Sequence, residues 1–173
     1  MSWLDERGRN GSVDEVPLPA GVAGRLWLCG KHFIGPDPEQ ALARTGAAQV
    51  VCLNERAELV GRYPGYVDWL LAEAGARATW FPIPDLHAPS VDELLPLVVD
   101  LRTRVTAGEG VLVHCGAGIG RAGTVAAALL LALGVGLPAA LELVAASRPS
   151  AGPQADVQSA LLTALAATAV RDP

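Results

Sequence analysis

The stretch Val111-Leu-Val-His-Cys-Gly-Ala-Gly-Ile-Gly-Arg-Ala-Gly123 constrains this chain more than any other. Val111 to Val113 is short, apolar and rich in β-branched residues, which predicts a strand buried on both faces. Cys115 follows at the strand end, and Arg121 comes six residues later, where an apolar helix begins. Between them Gly116, Gly118 and Gly120 alternate with Ala117 and Ile119, so the backbone can curl with its N–H groups turned inward. Such a nest on a helix N-terminus suits a phosphate-sized anion and favours a thiolate over a thiol.

A cysteine followed six residues on by an arginine is common by chance, and a lone free cysteine is most often an inert core residue. The context separates this pair from that background: His114 before the Cys, glycines within the loop, a strand before it and a helix after it. A soft nucleophile beneath an anion cradle implies covalent phosphoryl transfer, with Cys115 as nucleophile. The amides of Gly116, Ala117, Gly118, Ile119, Gly120 and Arg121 would hold the phosphoryl oxygens. Arg121 would add a planar fork that Lys cannot supply.

The rest of the chain alternates strands and helices, which predicts one α/β domain over residues 17–173 with a mainly parallel central sheet. Residues 1–16 are polar and read as a flexible lead-in. Leu26–Cys29, Val50–Leu53 and Thr79–Ile83 read as strands. Asp37 followed by Pro38 is a helix start, Tyr66 to Ala74 a second helix, and Ser90-Val-Asp-Glu93 a capping box opening a third helix to about Thr106. The run from Ala122 to Leu141 carries no charge and is long enough to span a bilayer. Gly134, Gly136 and Pro138 break it, so two core helices are expected instead.

Phe81-Pro-Ile-Pro-Asp85-Leu-His-Ala-Pro89 is a Pro-braced loop at a strand end. A departing alkoxide or phenoxide needs a proton, and a carboxylic acid on a movable loop can give one. Asp85 is therefore the candidate acid, against a plain turn-forming role. His87 reads as a surface histidine. His114 reads as a buried hydrogen-bonding residue that orients the loop. The chain has three histidines and no dense cluster of them, so neither a metal nor another cofactor is expected.

His114-Cys115-x5-Arg121 resembles the phosphate-binding loop of the cysteine-dependent protein tyrosine phosphatases, dual-specificity branch. The likeness runs from about Leu26 to Leu162, and around Cys52, Asp85 and Gln154 it is most similar to the kinase-associated phosphatase group. The resemblance implies a metal-independent phosphatase acting on phosphotyrosine in proteins, and on phosphoserine or phosphothreonine as well. It carries the acid role to Asp85 and a water-placing role to Gln154, whose alternative is an exposed helix-start residue. Gln158 could equally be solvated. Many relatives have Ser or Thr after the loop Arg; here Ala122 stands there, as in the phosphatases of regenerating liver, which puts fast turnover in question. Those phosphatases also carry a Cys at the position of Cys52. That residue is either a redox partner able to trap oxidised Cys115 as a disulfide or a small core side chain.

Composition narrows partners rather than chemistry. A net charge of −5 and a pI near 5.1 argue against nucleic acid or an anionic membrane as partner. Three cysteines and no apolar leader in Met1 to Asn10 suggest a reducing cytoplasm; a phosphoprotein as substrate is what the resemblance implies. Three alternatives stay open. An inositide or other non-protein monoester phosphatase would be expected to carry Lys in the loop, and Gly116 to Gly120 has no charge. A sulfur carrier would not need Asp85. A phosphoprotein-binding module of little activity would keep Arg121.

Overall fold

A computed structural model describes residues 9–169. Its sheet has five strands: β1 (Val13–Val16), β2 (Arg25–Gly30), β3 (Gln49–Cys52), β4 (Ala78–Trp80) and β5 (Gly110–Cys115). They lie in the order β1-β2-β5-β3-β4. β2, β5, β3 and β4 run parallel, while β1 is antiparallel to β2. Seven helices flank this sheet among the described residues: α1 (Lys31–Ile34), α2 (Pro38–Thr45), α3 (Pro64–Ala72), α4 (Val91–Thr106), α5 (Gly120–Ala132), α6 (Leu137–Ser147) and α7 (Asp156–Ala169).

Strand alternation sorts the side chains into two cores. Leu26, Leu28, Val51, Val111 and Val113 point to one face, where α4 to α7 pack. Cys29, Val50, Cys52 and Leu112 point to the other, under α1 to α3. Val111, Leu112 and Val113 are wholly buried, as a central strand covered on both faces must be. On α4, Leu94, Leu97, Val98, Leu101 and Val105 form the inward stripe, each side chain contributing about 1.5–3 kcal/mol by leaving water. Ser90 and Glu93 close the reciprocal cap at its start, and Asp37 accepts from Gln40 N at the start of α2. The uncharged run after Arg121 is two helices, α5 and α6, parted at Gly134 and Gly136. No helix of the described residues is long and apolar enough to cross a membrane.

One expectation needs correction. Residues 1–16 were expected to be a flexible lead-in, and residues 1–8 lie outside the described part. Val13–Val16, however, form the edge strand β1, with Val13 opposite Cys29 and Val16 opposite Leu26. The charges of Asp14 and Glu15 hid the strand, yet they suit an edge. Glu15 pairs with Arg25 across the strands, and Asp14 meets Arg148 from the far end of the chain.

The carboxyl ends of the parallel strands converge on one rim, the usual place for a site in such a sheet. β5 ends at Cys115 and β2 at Gly30, which sits opposite Cys115. Past β3, Leu53 N donates to His114 O. Past β4, Phe81 N and Ile83 N donate to Cys52 O and Leu53 O, so the acid loop follows β3 to the same rim.

Candidate active site

Cys115 stands at the floor of a cavity of about 870 Å³ whose wall includes Gly116, Ala117, Ile119, Gly120 and Arg121. The loop carbonyls are held outward. Lys31 N donates to Gly116 O, Arg148 Nη2 to Ala117 O, and Gly123 N and Gly152 N to Ile119 O. In a trans peptide the N–H points opposite its carbonyl, so the amides of Ala117, Gly118 and Gly120 turn away from those donors. Gly118 has φ 73°, and a Cβ there would run into the carbonyl of Cys29. Only glycine fits both demands.

Arg121 is almost fully buried, and its guanidinium is oriented by groups that the sequence did not single out. Nη1 and Nη2 donate to the two carboxylate oxygens of Glu58, each at 2.8 Å, and Nη1 also donates to Ile83 O at 2.8 Å. Glu58 is itself fixed by Asn54 Nδ2 at 3.0 Å and by Glu55 N at 2.8 Å. These bonds use the end of the fork and its outer edge. The Nε–Nη2 edge is left, and Nε is a buried donor without a partner among the described residues. Two phosphoryl oxygens on that edge would satisfy it.

Burial works against both charges of this pair. The Glu58 carboxyl is nevertheless held down at about 2, against that desolvation, by the Arg121 hydrogen bond and the Glu55 amide. Burial likewise works to lower the Arg121 pKa, but Glu58, together with Cys115 and Asp85, more than offsets it. A carboxylate depressed on folding stabilises the fold above its unfolded pKa of about 4.3, and that contribution is lost as pH falls towards the folded value. Glu58→Gln should therefore flatten the loss of stability between about pH 4.5 and 2. At neutral pH the same change should cut kcat/KM about 10–100-fold through loss of Arg121 alignment. Thermal unfolding and kinetics read the two effects separately; an unchanged acid limb would detach Glu58 from Arg121.

Asp85 lies at the mouth of the cavity, its side chain 73% exposed, with Oδ1 at 3.5 Å from Arg121 Nη2. Oδ1 also accepts from Leu86 N at 3.0 Å, and Leu86 adopts the left-handed φ of 61°. His87 is exposed and turns Nδ1 to Asp85 O at 2.7 Å, a backbone contact. Gln154 is exposed at the rim; its Nε2 donates to Ser150 O at 3.0 Å. Gln158, by contrast, is not solvated. It is 1% exposed, accepts from Gln154 N and donates to His87 O, joining the start of α7 to the acid loop.

His114 is buried on the opposite face of β5, with Nε2 at 2.6 Å from Tyr66 Oη and Nδ1 at 3.4 Å from Cys115 O. A carbonyl can only accept, so Nδ1 carries the proton and Nε2 accepts from the tyrosine. Burial, then the Arg121 charge, push this imidazole down to about 4, which leaves it a neutral brace at pH 7. Cys52 sits beside His114 in the register and packs in the core opposite that of Cys115. Burial lifts its thiol to about 12. Ala122 is wholly buried. Arg148 is buried as well: besides Ala117 O it reaches Gly11 O at 2.9 Å and Asp14 Oδ2 at 2.7 Å.

A family model, the DSP-PTPase phosphatase domain of Swiss Army Knife proteins, matches residues 34–171. The chain belongs to this phosphatase family. Among solved structures, a mutant form of Tk-PTP shares 36% identity, covering 77% of this chain and 85% of that one, with a TM-score of 0.66. The kinase-associated phosphatase shares the fold at 22% identity and a TM-score of 0.74, over 94% of this chain and 97% of its own. PTPMT1, solved in complex with PI(5)P, does so at 18% identity and 0.67, over 84% and 92%. No curated protein sequence matches the chain. The protein is a cysteine-dependent phosphatase of the dual-specificity kind, and its match begins at the end of α1 and runs past Arg121 to α7.

The residues missed at first were partners of buried polar side chains, Arg121 and His114. Glu58 carried one local signal, the reciprocal cap formed by Glu55 and Glu58 around the short 3-10 turn Arg56–Glu58. Tyr66 read only as the start of a helix, and nothing in its neighbourhood announced a bond to His114.

Proposed function

We propose that this phosphatase hydrolyses phosphotyrosine in proteins, and phosphoserine or phosphothreonine as well, through a phosphocysteine intermediate. The observation that carries the reading is the buried Arg121 Nε, a donor without a partner among the described residues, on a guanidinium that lines the same cavity as Cys115. Cys115 attacks phosphorus: the S–P bond forms, the P–O bond to the substrate breaks, and the departing oxygen takes a proton from Asp85. Water then attacks phosphorus and gives a proton back to Asp85. The S–P bond breaks and inorganic phosphate leaves. Arg121 and the loop amides hold the three equatorial oxygens throughout. Gln154, at the rim, would place that water.

The phosphoprotein reading, rather than an inositide one, is supported by the uncharged side chains of residues 116–120. Lys31, which lines the cavity, directs Nζ to Glu58 O at 3.2 Å. Phosphate release from matched panels of phosphotyrosyl, phosphoseryl and phosphothreonyl peptides and of inositol phosphates tests this directly. Higher kcat/KM on inositol phosphates than on every peptide would overturn it.

Asp85 and His87 are told apart by leaving group. Asp85→Asn should slow alkyl phosphates and phosphopeptides about 10²–10⁴-fold and activated aryl phosphates far less, since these leave without a proton. His87→Ala should change both by no more than about threefold, as expected of a group outside the proton path. The reverse ranking would move the acid to the histidine.

A further inference from the structure

Asp85 stands at the corner of a turn that packing does not hold. Residues 84–87 are all exposed. His87 N donates to Pro84 O at 3.0 Å, which closes the turn with Asp85 and Leu86 at its centre. Leu86 has φ 61° there, a left-handed value that leucine adopts only where its surroundings impose it. Burial does not keep the carboxyl over the cavity, and the backbone preference of Leu86 works against it. What remains is the hydrogen bonding at the two ends of the turn.

Both ends are anchored. On the near side, Ile83 N donates to Leu53 O at 2.9 Å, and Ile83 O accepts from Arg121 Nη1 at 2.8 Å. On the far side, His87 O accepts from Gln158 Nε2 at 3.2 Å. Beside the 3.5 Å approach of Asp85 to Arg121, this is the one polar contact that reaches residues 84–89 from elsewhere, among the described residues. Gln158 is itself held in place. It is 1% exposed, its Oε1 accepts from Gln154 N at 2.8 Å, and that oxygen lies 3.5 Å from where a Cβ on Gly120 would stand. One partner is an N–H and the other a C=O, so the side chain must present an acceptor and a donor together. An amide does this and a carboxylate does not. Gln158 thus spans the acid turn, the start of α7 and the end of the catalytic loop.

We propose that Gln158 is the positioning residue of the proton donor, a latch that keeps Asp85 where the departing oxygen needs it. The inference rests on Asp85 as the acid in the reaction above, and it makes the acid's position depend on a side chain of α7. This role is separate from the placing of water by Gln154. Water enters only after the leaving group has gone, whereas the latch acts while the P–O bond to the substrate breaks. Since kcat/KM contains no step later than that departure, it reads the latch without the water step.

The test measures Gln158→Glu on two substrates of matched size, phenyl phosphate and nitrophenyl phosphate, alone and combined with Asp85→Asn. Phenoxide needs a proton to leave and nitrophenoxide does not. The substitution keeps an acceptor for Gln154 N and removes the donor to His87 O. On phenyl phosphate kcat/KM should fall about 10–100-fold, as for a reacting group displaced by about an ångström. On nitrophenyl phosphate it should fall by about threefold at most. In the Asp85→Asn background the same change should cost less than about twofold on either substrate, because no acid is left to position. Gln158→Met, which removes both bonds at similar volume, should repeat the pattern and serves if the buried carboxylate unfolds the chain; circular dichroism checks both variants. Equal losses on the two substrates would overturn the latch and leave Asp85 as the acid. So would no loss at all, or a loss in the Asp85→Asn background as large as in the parent. If Asp85→Asn alone slows both substrates alike, the acid assignment falls and the latch falls with it.

Discussion

Replacing Cys115 by Ser should abolish turnover while leaving phosphopeptide binding within a few-fold of the parent. The substitution changes one atom, and Arg121 with its Glu58 anchor remains to hold the phosphoryl oxygens. A neutral hydroxyl is a far weaker nucleophile than a thiolate, so kcat should fall at least about 10⁴-fold. No other thiol can take over. Cys29 and Cys52 are the remaining cysteines, both are buried, and burial raises the pKa of each, so neither is ionised at neutral pH. Residual activity above about 1% of the parent in a stopped-flow assay would reject covalent cysteine catalysis. Loss of binding along with turnover would show that the sulfur, rather than the arginine and amides, holds the substrate.

Arg121→Lys should be nearly as severe although the charge is kept. One guanidinium end grips Glu58, an outer hydrogen reaches Ile83 O, and Nε is left as a buried donor for the phosphoryl oxygens of the proposed reaction. A lysine ammonium has three donors on a single atom and cannot face the carboxylate and two phosphoryl oxygens in one plane. Losing one preorganised donor to a developing oxyanion costs about 10²–10³-fold, and here two are lost with the alignment of the third. A fall in kcat/KM of about 10³–10⁴-fold is expected, with kcat and KM both affected because the ground-state phosphate is held by the same edge. A lysine variant within about tenfold of the parent would remove the bidentate role from Arg121.

The parts of this protein that could be read directly are those whose causes lie close together in sequence. The buried strand, the glycine loop and the helix at Val111–Gly123 form one continuous run, and the caps at Asp37 and at Ser90–Glu93 span three residues. The edge strand β1 was hidden because Asp14 and Glu15 look like solvated charges until Arg148 and Arg25 are brought to them by the fold. Glu58 lies 63 residues before Arg121, and that separation carries no periodicity or spacing rule to detect. Gln158 looked like any polar helix residue; only the packing of α7 beside the acid loop buries its amide and gives it two backbone partners. Cys52 was adjacent to the loop strand in register, as the parallel order implied, yet strand alternation sends it to the other core. Neighbourhood along a sheet and neighbourhood through it are different quantities, and only the first follows from strand order.

The clasp made by Arg148 has a consequence for how the enzyme comes into being. One guanidinium joins Ala117 O on the catalytic loop to Gly11 O and Asp14, across sequence separations of 31, 137 and 134 residues. Contacts between such distant positions form late, because the loss of chain entropy must be met before they are made. A growing polypeptide that stops short of residue 148 holds Cys115 and Arg121 but not the donor that turns the loop carbonyl outward. Hydrolytic competence is thereby tied to synthesis beyond residue 148, and a product that stops before it carries the reactive thiol without the frame that directs it.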